Sequence, residues 1–160
     1  MKKYPQAVCS LVINNSGLVL ACSRKDNKEI FGLPGGKVDL TDWHLEDAAR
    51  RELYEETGIW AGSGTPVFTA MCYGSDGKHY LTTTFIWNQL PSEPRQIEGE
   101  GLVAWVSTDV MCRLNIGKYK NFGIYNRKLF EHMDIYVPEI SHHMQDVICK
   151  EYPPNQIKEV

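Results

Sequence analysis

Three glutamates crowd one stretch of the chain where a helix is predicted to end: Glu52, Glu55 and Glu56. In a helix, the spacing i, i+3 and i+4 places them on one arc about 100° wide. Like charges at this spacing, close to the negative end of the helix dipole, each cost roughly a few tenths of a kcal/mol. A divalent cation would turn the repulsion into attraction, and oxygen ligands suit Mg²⁺ or Mn²⁺. The alternative is a solvated acidic face with no function.

The surroundings of the glutamates favour the metal site. Gly58 follows directly, where a glycine can end the helix with left-handed dihedrals. Arg51 lies four residues before Glu55 and can reach it. A Gly35-Gly36 pair lies one helix length upstream. A cluster of charges that destabilises the helix in such a specific setting is typical of a functional site.

Residues 33–59 resemble the signature of the Nudix hydrolases. That signature is a glycine, five residues, a glutamate, seven residues, and then Arg-Glu-U-x-Glu-Glu-x-Gly-U, where U is a bulky aliphatic residue. Residues 51–59 (RELYEETGI) fit its second half at every position. Residues 33–38 (LPGGKV) are similar to the usual lead-in, with Gly36 as the first signature glycine.

The first half of the signature departs from the family pattern by one residue. Counted forward from Gly36 the expected glutamate falls on Asp42, and counted back from Arg51 it falls on Trp43. The glutamate, which in the family often pairs with the signature arginine, is therefore replaced by aspartate or displaced. Asp42 is also a candidate helix N-cap. We expect Trp43 to pack against the bulge that the extra residue creates.

The resemblance implies hydrolysis of a nucleoside diphosphate linked to another group, with water attacking a phosphorus atom of the pyrophosphate. It implies that Mg²⁺, with Mn²⁺ as an alternative, is held by Glu52, Glu55, Glu56 and the Gly36 carbonyl, and that Arg51 orients the glutamates. The metal would neutralise phosphate oxygens and activate water. The general base is either one of these glutamates or a loop acid, for which the first candidate is Glu100 and the second is Glu98.

Four further residues are candidates for binding the substrate. Arg24 and Lys37 can hold phosphate oxygens, although surface charge explains each equally well. Phe31 and Tyr73 are candidates for stacking on the base, as are Tyr80 and Trp105. Aromatic residues on strands belong to the core more often than to a ligand site.

The elements that must position these residues are two β-hairpins, a further strand and two helices. The predicted strands are 7–14, 18–23, 66–73, 79–87 and 102–107, and the predicted helices are 44–57 and 118–132. This order predicts an α+β fold, a Nudix-type α/β/α sandwich in which a mixed β-sheet lies between the helices and carries the catalytic loop-helix-loop. We expect one Nudix domain at 1–133 and an extension at 134–160 packed on it.

Composition excludes several other classes of protein. A net charge of −3 argues against binding a nucleic-acid polymer. The sequence has no run of eighteen consecutive apolar residues, so no membrane span is predicted. The five cysteines are scattered without a C-x-x-C pair, which favours reduced thiols in a cytoplasmic protein. A homodimer is left open.

The lead-in at 33–38 resembles compact family members that cleave nucleoside or deoxynucleoside triphosphates to the monophosphate and pyrophosphate. ADP-ribose and dinucleoside polyphosphates are the alternative substrates. A non-catalytic nucleotide-binding or sensor module with the same fold is the alternative of a different class, favoured only by the departure at Asp42.

Overall fold

The computed structural model describes residues 3–112 and 120–137, which form seven strands and three helices. The strands are β1 Gln6–Ser10, β2 Val19–Ser23, β3 Phe31–Gly32, β4 Gly35–Lys37, β5 Gly64–Tyr73, β6 His79–Trp87 and β7 Val103–Val106. The helices are α1 Leu45–Thr57, α2 Thr108–Met111 and α3 Lys120–His132.

The strands form a mixed sheet and a smaller antiparallel sheet. The mixed sheet has the order β4-β1-β6-β5, in which β1 and β6 are parallel, and the second has the order β3-β2-β7. Ala48 and Ala49 of α1 pack with Val8 and Phe85 in one cluster. Helix α3 contributes Tyr125, Leu129 and Phe130 to a separate, larger cluster. The predicted α+β sandwich with a mixed sheet is confirmed.

The first predicted hairpin forms only around its turn, because β1 itself belongs to the other sheet. The Asn14 N–H donates to the Leu18 carbonyl at 2.9 Å, and the Leu20 N–H donates to the Val12 carbonyl at 2.8 Å. The chain does turn where expected, since the Leu18 N–H donates to Asn14 Oδ1 at 3.0 Å and Ile13 forms a single bridge with Val19. Strand β2 is buried along its whole length. A continuous apolar run of this kind indicates a strand but does not show which strand pairs with it. The second hairpin, β5–β6, is confirmed.

The segment between the predicted strand 18–23 and the predicted helix 44–57 contains two short strands. β3 pairs with β2, and β4 pairs with β1 through Gly35, Gly36 and Lys37. Glycine-rich strands of two or three residues carry no alternating apolar pattern, so the sequence did not reveal them. Their effect is to place the glycine pair at the edge of the mixed sheet, beside α1.

The first residues of the predicted C-terminal extension pack on the domain. The Thr108 hydroxyl donates to the Tyr136 carbonyl at 2.8 Å, and Ile135 and Val137 contact the larger core cluster. The rest of the extension, 138–160, lies outside the described residues, as does the predicted start of α3 at 118.

Candidate active site

Helix α1 carries the three glutamates and has well-defined ends. Its N-cap is His44, whose backbone N–H is bound by the Asp47 side chain at 3.1 Å, so the prediction of Asp42 as N-cap is wrong. It ends at Gly58, which has a φ of 76° and donates its N–H to the Tyr54 carbonyl at 2.8 Å. The predicted terminal glycine is confirmed.

Asp42 instead binds Arg51 with both of its carboxylate oxygens. Nε of Arg51 donates to Oδ1 at 3.0 Å, and Nη2 donates to Oδ2 at 2.8 Å. The Asp42 side chain is only 6% exposed, and its pKa is lowered chiefly by these hydrogen bonds. Asp42 therefore occupies the role that the signature glutamate plays in the family, so the glutamate is replaced rather than displaced.

The extra residue of the loop faces solvent. Trp43 is 89% exposed, so the prediction that it packs the bulge is wrong. The chain turns between Asp39 and Asp42, since the Asp42 N–H donates to the Asp39 carbonyl at 3.0 Å. Holding Asp42 inward against Arg51 leaves the next side chain pointing outward, and Leu40 is fully exposed as well.

The glutamates divide between two sets of partners. Arg51 Nη1 donates to Glu52 Oε1 at 3.0 Å and to Glu55 Oε2 at 3.3 Å, as the i, i+4 spacing predicted for Glu55. Glu56 faces β4, where it accepts the Gly35 N–H at 3.3 Å, and it also hydrogen-bonds the buried Cys22 thiol.

Burial perturbs the charges of two glutamates. Burial raises the pKa of Glu56 to about 8, and the Glu52 charge adds to the effect. The pKa of Glu52 is also raised, chiefly by burial. Both carboxylates are therefore short of stabilising positive charge in this arrangement.

Gly36 lies directly against Glu52. A Cβ added at position 36 would be 2.6 Å from Glu52 Oε1. Gly35 is equally confined, because its Cβ would overlap the carbonyl of Val8 in β1. Glycine at position 36 thus lets the strand lie directly against the Glu52 carboxylate, which a side chain at this position would displace.

The donor set fits a hard divalent cation. The three carboxylates supply only oxygen, and a cation would counter the repulsion and the cost of burial that raise the pKa of Glu52 and Glu56. Among residues 3–112 and 120–137 no three acidic, histidine or cysteine side chains already converge as a metal site. The reason is that Glu52 and Glu55 are turned toward Arg51, and they would have to rotate to join Glu56.

A cavity of about 170 Å³ opens beside the glycine pair. It is lined by the β4 segment 35–37, by residues of β1, β5 and β6, and by α3. The polar and aromatic lining residues include Arg24, Lys37, Asp76, Tyr80, Phe122, Tyr125 and Asn126. A cavity with aromatic walls that ends beside an acidic cluster suits a nucleotide.

The predicted binding residues separate into two groups. Arg24 and Lys37 both line the cavity, and the Arg24 guanidinium lies 5.2 Å from the centre of the Phe122 ring. Phe31 is buried in the core, the Tyr73 ring lies 3.8 Å from the His79 ring between centres, and neither residue lines the cavity. The structure does not bring these two residues to the cavity, and their stacking on a base stays a prediction.

The aromatic walls are Tyr80, Phe122 and Tyr125, of which only Tyr80 was a sequence candidate. The other two lie on α3, far along the chain from the glutamates. Phe122, Tyr125 and Asn126 have the spacing i, i+3 and i+4, which marks one face of a helix. That signal identifies a buried face but does not show what the face covers.

Glu100, the first candidate among loop acids, lies near the same buried thiol as Glu56. The charges of both raise the pKa of the Cys22 thiol, although burial is the main cause. Glu100 also pairs with Lys25 at 3.3 Å. Glu98 is exposed. A role for Glu100 as general base stays a prediction.

These features define a Nudix-type domain: the sheet is mixed, the helices pack in separate clusters, and a loop-helix-loop holds the glutamates against a glycine. The chain belongs to the NUDIX family, because the family model described as NUDIX domain matches residues 3–132.

Known relatives match shorter parts of the chain. It is 44% identical over 55 residues to a putative 8-oxo-dGTP diphosphatase of Bacillus subtilis (strain 168), covering 34% of this chain and 36% of that protein. It is 44% identical over 64 residues to an RNA pyrophosphohydrolase of Bartonella henselae, covering 35% of this chain and 36% of that protein. The chain thus spans about a third of the length of these relatives.

A solved structure shares the fold over nearly the whole chain. The MutT NUDIX hydrolase from Burkholderia pseudomallei has a TM-score of 0.56 and 20% sequence identity, covering 95% of this chain and 100% of that one. In the described part of the present chain, no helix has the length and apolarity needed to cross a membrane.

Proposed function

We propose that the chain is a metal-dependent pyrophosphohydrolase that cleaves a nucleoside diphosphate linked to another group. The first choice of substrate is a nucleoside or deoxynucleoside triphosphate, cleaved to the monophosphate and pyrophosphate. The observation that carries the proposal is the contact of Glu52 and Glu56 with the glycine pair at the end of the aromatic cavity. The names of the two partial relatives, a diphosphatase and a pyrophosphohydrolase, support it.

In this proposal the cavity binds the nucleoside and leads its phosphates to α1. Tyr80, Phe122 and Tyr125 offer ring faces for the base. Arg24 and Lys37 offer positive charge to the phosphate oxygens on the way to Gly36.

Glu52, Glu55, Glu56 and the Gly36 carbonyl would hold Mg²⁺ or Mn²⁺, which neutralises phosphate oxygens and lowers the pKa of water when bound. Arg51 acts as a positioning residue, because its contacts with Asp42 and Lys37 fix the guanidinium beside Glu52 and Glu55. The proton of the attacking water passes to Glu56 or to Glu100.

The experiment is a Mg²⁺-dependent screen over nucleoside and deoxynucleoside triphosphates, ADP-ribose, NADH and dinucleoside polyphosphates. It is repeated with Glu56→Gln and with Glu131→Gln, a control on the exposed side of α3. We expect turnover that Glu56→Gln abolishes and Glu131→Gln leaves unchanged. Binding of nucleotides without any turnover would contradict the proposal and favour the sensor alternative. We also assign the protein to the cytoplasm, because its five cysteines are scattered in the sequence without a C-x-x-C pair.

A further inference from the structure

The turn between β5 and β6 is joined to β4 through the side chain of Asp76. Its Oδ2 accepts the Tyr80 hydroxyl proton at 2.5 Å and a proton of Lys37 Nζ at 3.1 Å. Its Oδ1 accepts the Lys78 backbone N–H at 3.0 Å. Lys37 Nζ also lies 5.5 Å from the centre of the Tyr80 ring. The carboxylate is thus fixed by three donors at one place on the cavity rim.

These contacts leave both polar groups with capacity for a ligand. A carboxylate oxygen can accept two hydrogen bonds, and Oδ1 of Asp76 is given one by the described residues. An ammonium group has three N–H donors; one of those of Lys37 binds Asp76 and a second is directed to the Tyr80 hydroxyl, which leaves one. The rim therefore presents an acceptor and a donor side by side.

This pair lies where the sugar of a bound nucleotide would be. Lys37, Asp76 and Tyr80 all line the cavity, and Lys37 directly follows Gly36 in β4. Phe122, Tyr125 and Asn126 of α3 line the same cavity, and the proposed function assigns this wall to the base. A sugar connects base and phosphates, so its hydroxyl groups fall between the α3 wall and Gly36, next to the rim.

An adjacent acceptor and donor match the two neighbouring hydroxyl groups of ribose. One hydroxyl can donate to Asp76 Oδ1 while the other accepts from Lys37 Nζ. A 2′-deoxyribose has only one hydroxyl at this place and leaves one of the two protein groups without its ligand partner. Sites that hydrogen-bond a substrate hydroxyl discriminate against the analogue that lacks it.

We propose that Asp76, with Lys37, is the specificity-determining pair that selects ribonucleotides over 2′-deoxyribonucleotides by binding the vicinal hydroxyls of ribose. The inference rests on the proposed function, because it assumes that the cavity holds a nucleotide with its phosphates at Gly36. It narrows the substrate class to nucleoside diphosphate derivatives that contain ribose.

The test compares GTP with dGTP as substrates of the wild-type chain, Asp76→Asn and Glu93→Gln. Glu93 is an exposed acid on the connection from β6 to β7 and serves as the matched control for loss of charge. We expect wild-type kcat/KM to favour GTP about tenfold, mainly through KM, the discrimination available from one hydrogen bond. In Asp76→Asn the ratio should fall toward one, and in Glu93→Gln it should not change.

The preference is also measured as the ratio of the dissociation constants of the α,β-methylene analogues of GTP and dGTP. This second ratio does not depend on turnover. Equal affinity of the wild-type chain for the two analogues, or an unchanged preference in Asp76→Asn, would overturn the inference. Failure of the proposed function looks different, because then neither GTP nor dGTP is hydrolysed whatever the binding ratio. Tyr80→Phe keeps the ring and removes the hydroxyl, and it should weaken the preference less than Asp76→Asn does.

Discussion

Arg51 binds Asp42 through two parallel hydrogen bonds, at 3.0 and 2.8 Å, across the loop that precedes α1. Bidentate pairs of this kind are among the strongest polar contacts in proteins. Since Nη1 of the same guanidinium reaches Glu52 and Glu55, the loop and the glutamates are fixed by one side chain. An aspartate followed by one extra residue thus supports the helix that carries the glutamates.

Breaking this pair should destabilise the protein. Asp42→Asn removes the charge from a side chain that is 6% exposed, and we expect the free energy of unfolding to fall by about 2 kcal/mol. Asp39→Asn is the matched control, because Asp39 is 58% exposed and reaches Arg51 only at 3.5 Å, so it should cost under about 0.5 kcal/mol. Urea unfolding measures both, and equal losses would contradict the assigned role of Asp42.

The two glycines of β4 should respond differently to alanine. In Gly36→Ala the new methyl group meets the end of the Glu52 side chain, which can move, so activity should fall at least tenfold with little loss of stability. In Gly35→Ala the methyl group meets the backbone of β1, which cannot move without disturbing the sheet. Thermal unfolding together with kcat/KM separates the two variants. A Gly36→Ala protein with full activity would show that catalysis does not depend on the position of the Glu52 carboxylate.

Trp43 should be dispensable for folding. Because it is 89% exposed, Trp43→Ala should change the free energy of unfolding by less than about 0.5 kcal/mol. Trp87 gives the contrast, since it packs on Phe85 and donates Nε1–H to Ser10 Oγ at 3.0 Å, so Trp87→Ala should cost about 3 kcal/mol. Chemical denaturation of both variants checks this. A large loss for Trp43→Ala would restore the packing role expected from sequence.

Stability without metal should fall as the pH rises toward 8. The ordinary pKa of a glutamate is 4.5, and burial raises that of Glu56 to about 8 in the folded chain. Between these values the folded state holds a proton that the unfolded chain has released, so the stabilising effect is complete below pH 4.5 and is lost as the pH rises through 8. One proton gives a slope of at most about 1.4 kcal/mol per pH unit.

The measurement is urea unfolding in EDTA between pH 5 and pH 8, with pH steps of about one unit. Other titrating groups contribute to both proteins, so the difference between wild type and Glu56→Gln isolates Glu56. The slope should be smaller in Glu56→Gln. Parallel pH profiles for the two proteins would show that Glu56 is not protonated in the folded chain.

Local features of the site were predictable from sequence. The period of α1, its end at Gly58 and the contact of Arg51 with Glu55 all depend on residues within one or two helical turns. The β5–β6 hairpin is similarly local, since its strands are joined by a short glycine-containing turn. The replacement of the signature glutamate by Asp42 could be suspected from its distance to Gly36, but counting back from Arg51 pointed to Trp43 instead.

Non-local features were not predictable from one sequence. Nothing in the buried runs of β1 and β2 shows that they join different sheets, because pairing depends on strands far along the chain. The cavity also depends on non-local packing, since Phe122 and Tyr125 of α3 line it together with Lys37 of β4. For this reason the sequence candidates Phe31 and Tyr73 differ from the aromatic residues that line the cavity.

The most direct test of the account is the rate of Mg²⁺-dependent nucleoside triphosphate hydrolysis by Glu56→Gln beside wild type. Glutamine keeps the size of the side chain and an acceptor for the Gly35 N–H, so the fold should survive, and circular dichroism checks it. Loss of the proposed metal ligand and proton acceptor should lower kcat by at least about 100-fold. A wild-type chain that hydrolyses nucleotides and a folded Glu56→Gln that matches its rate would contradict the account.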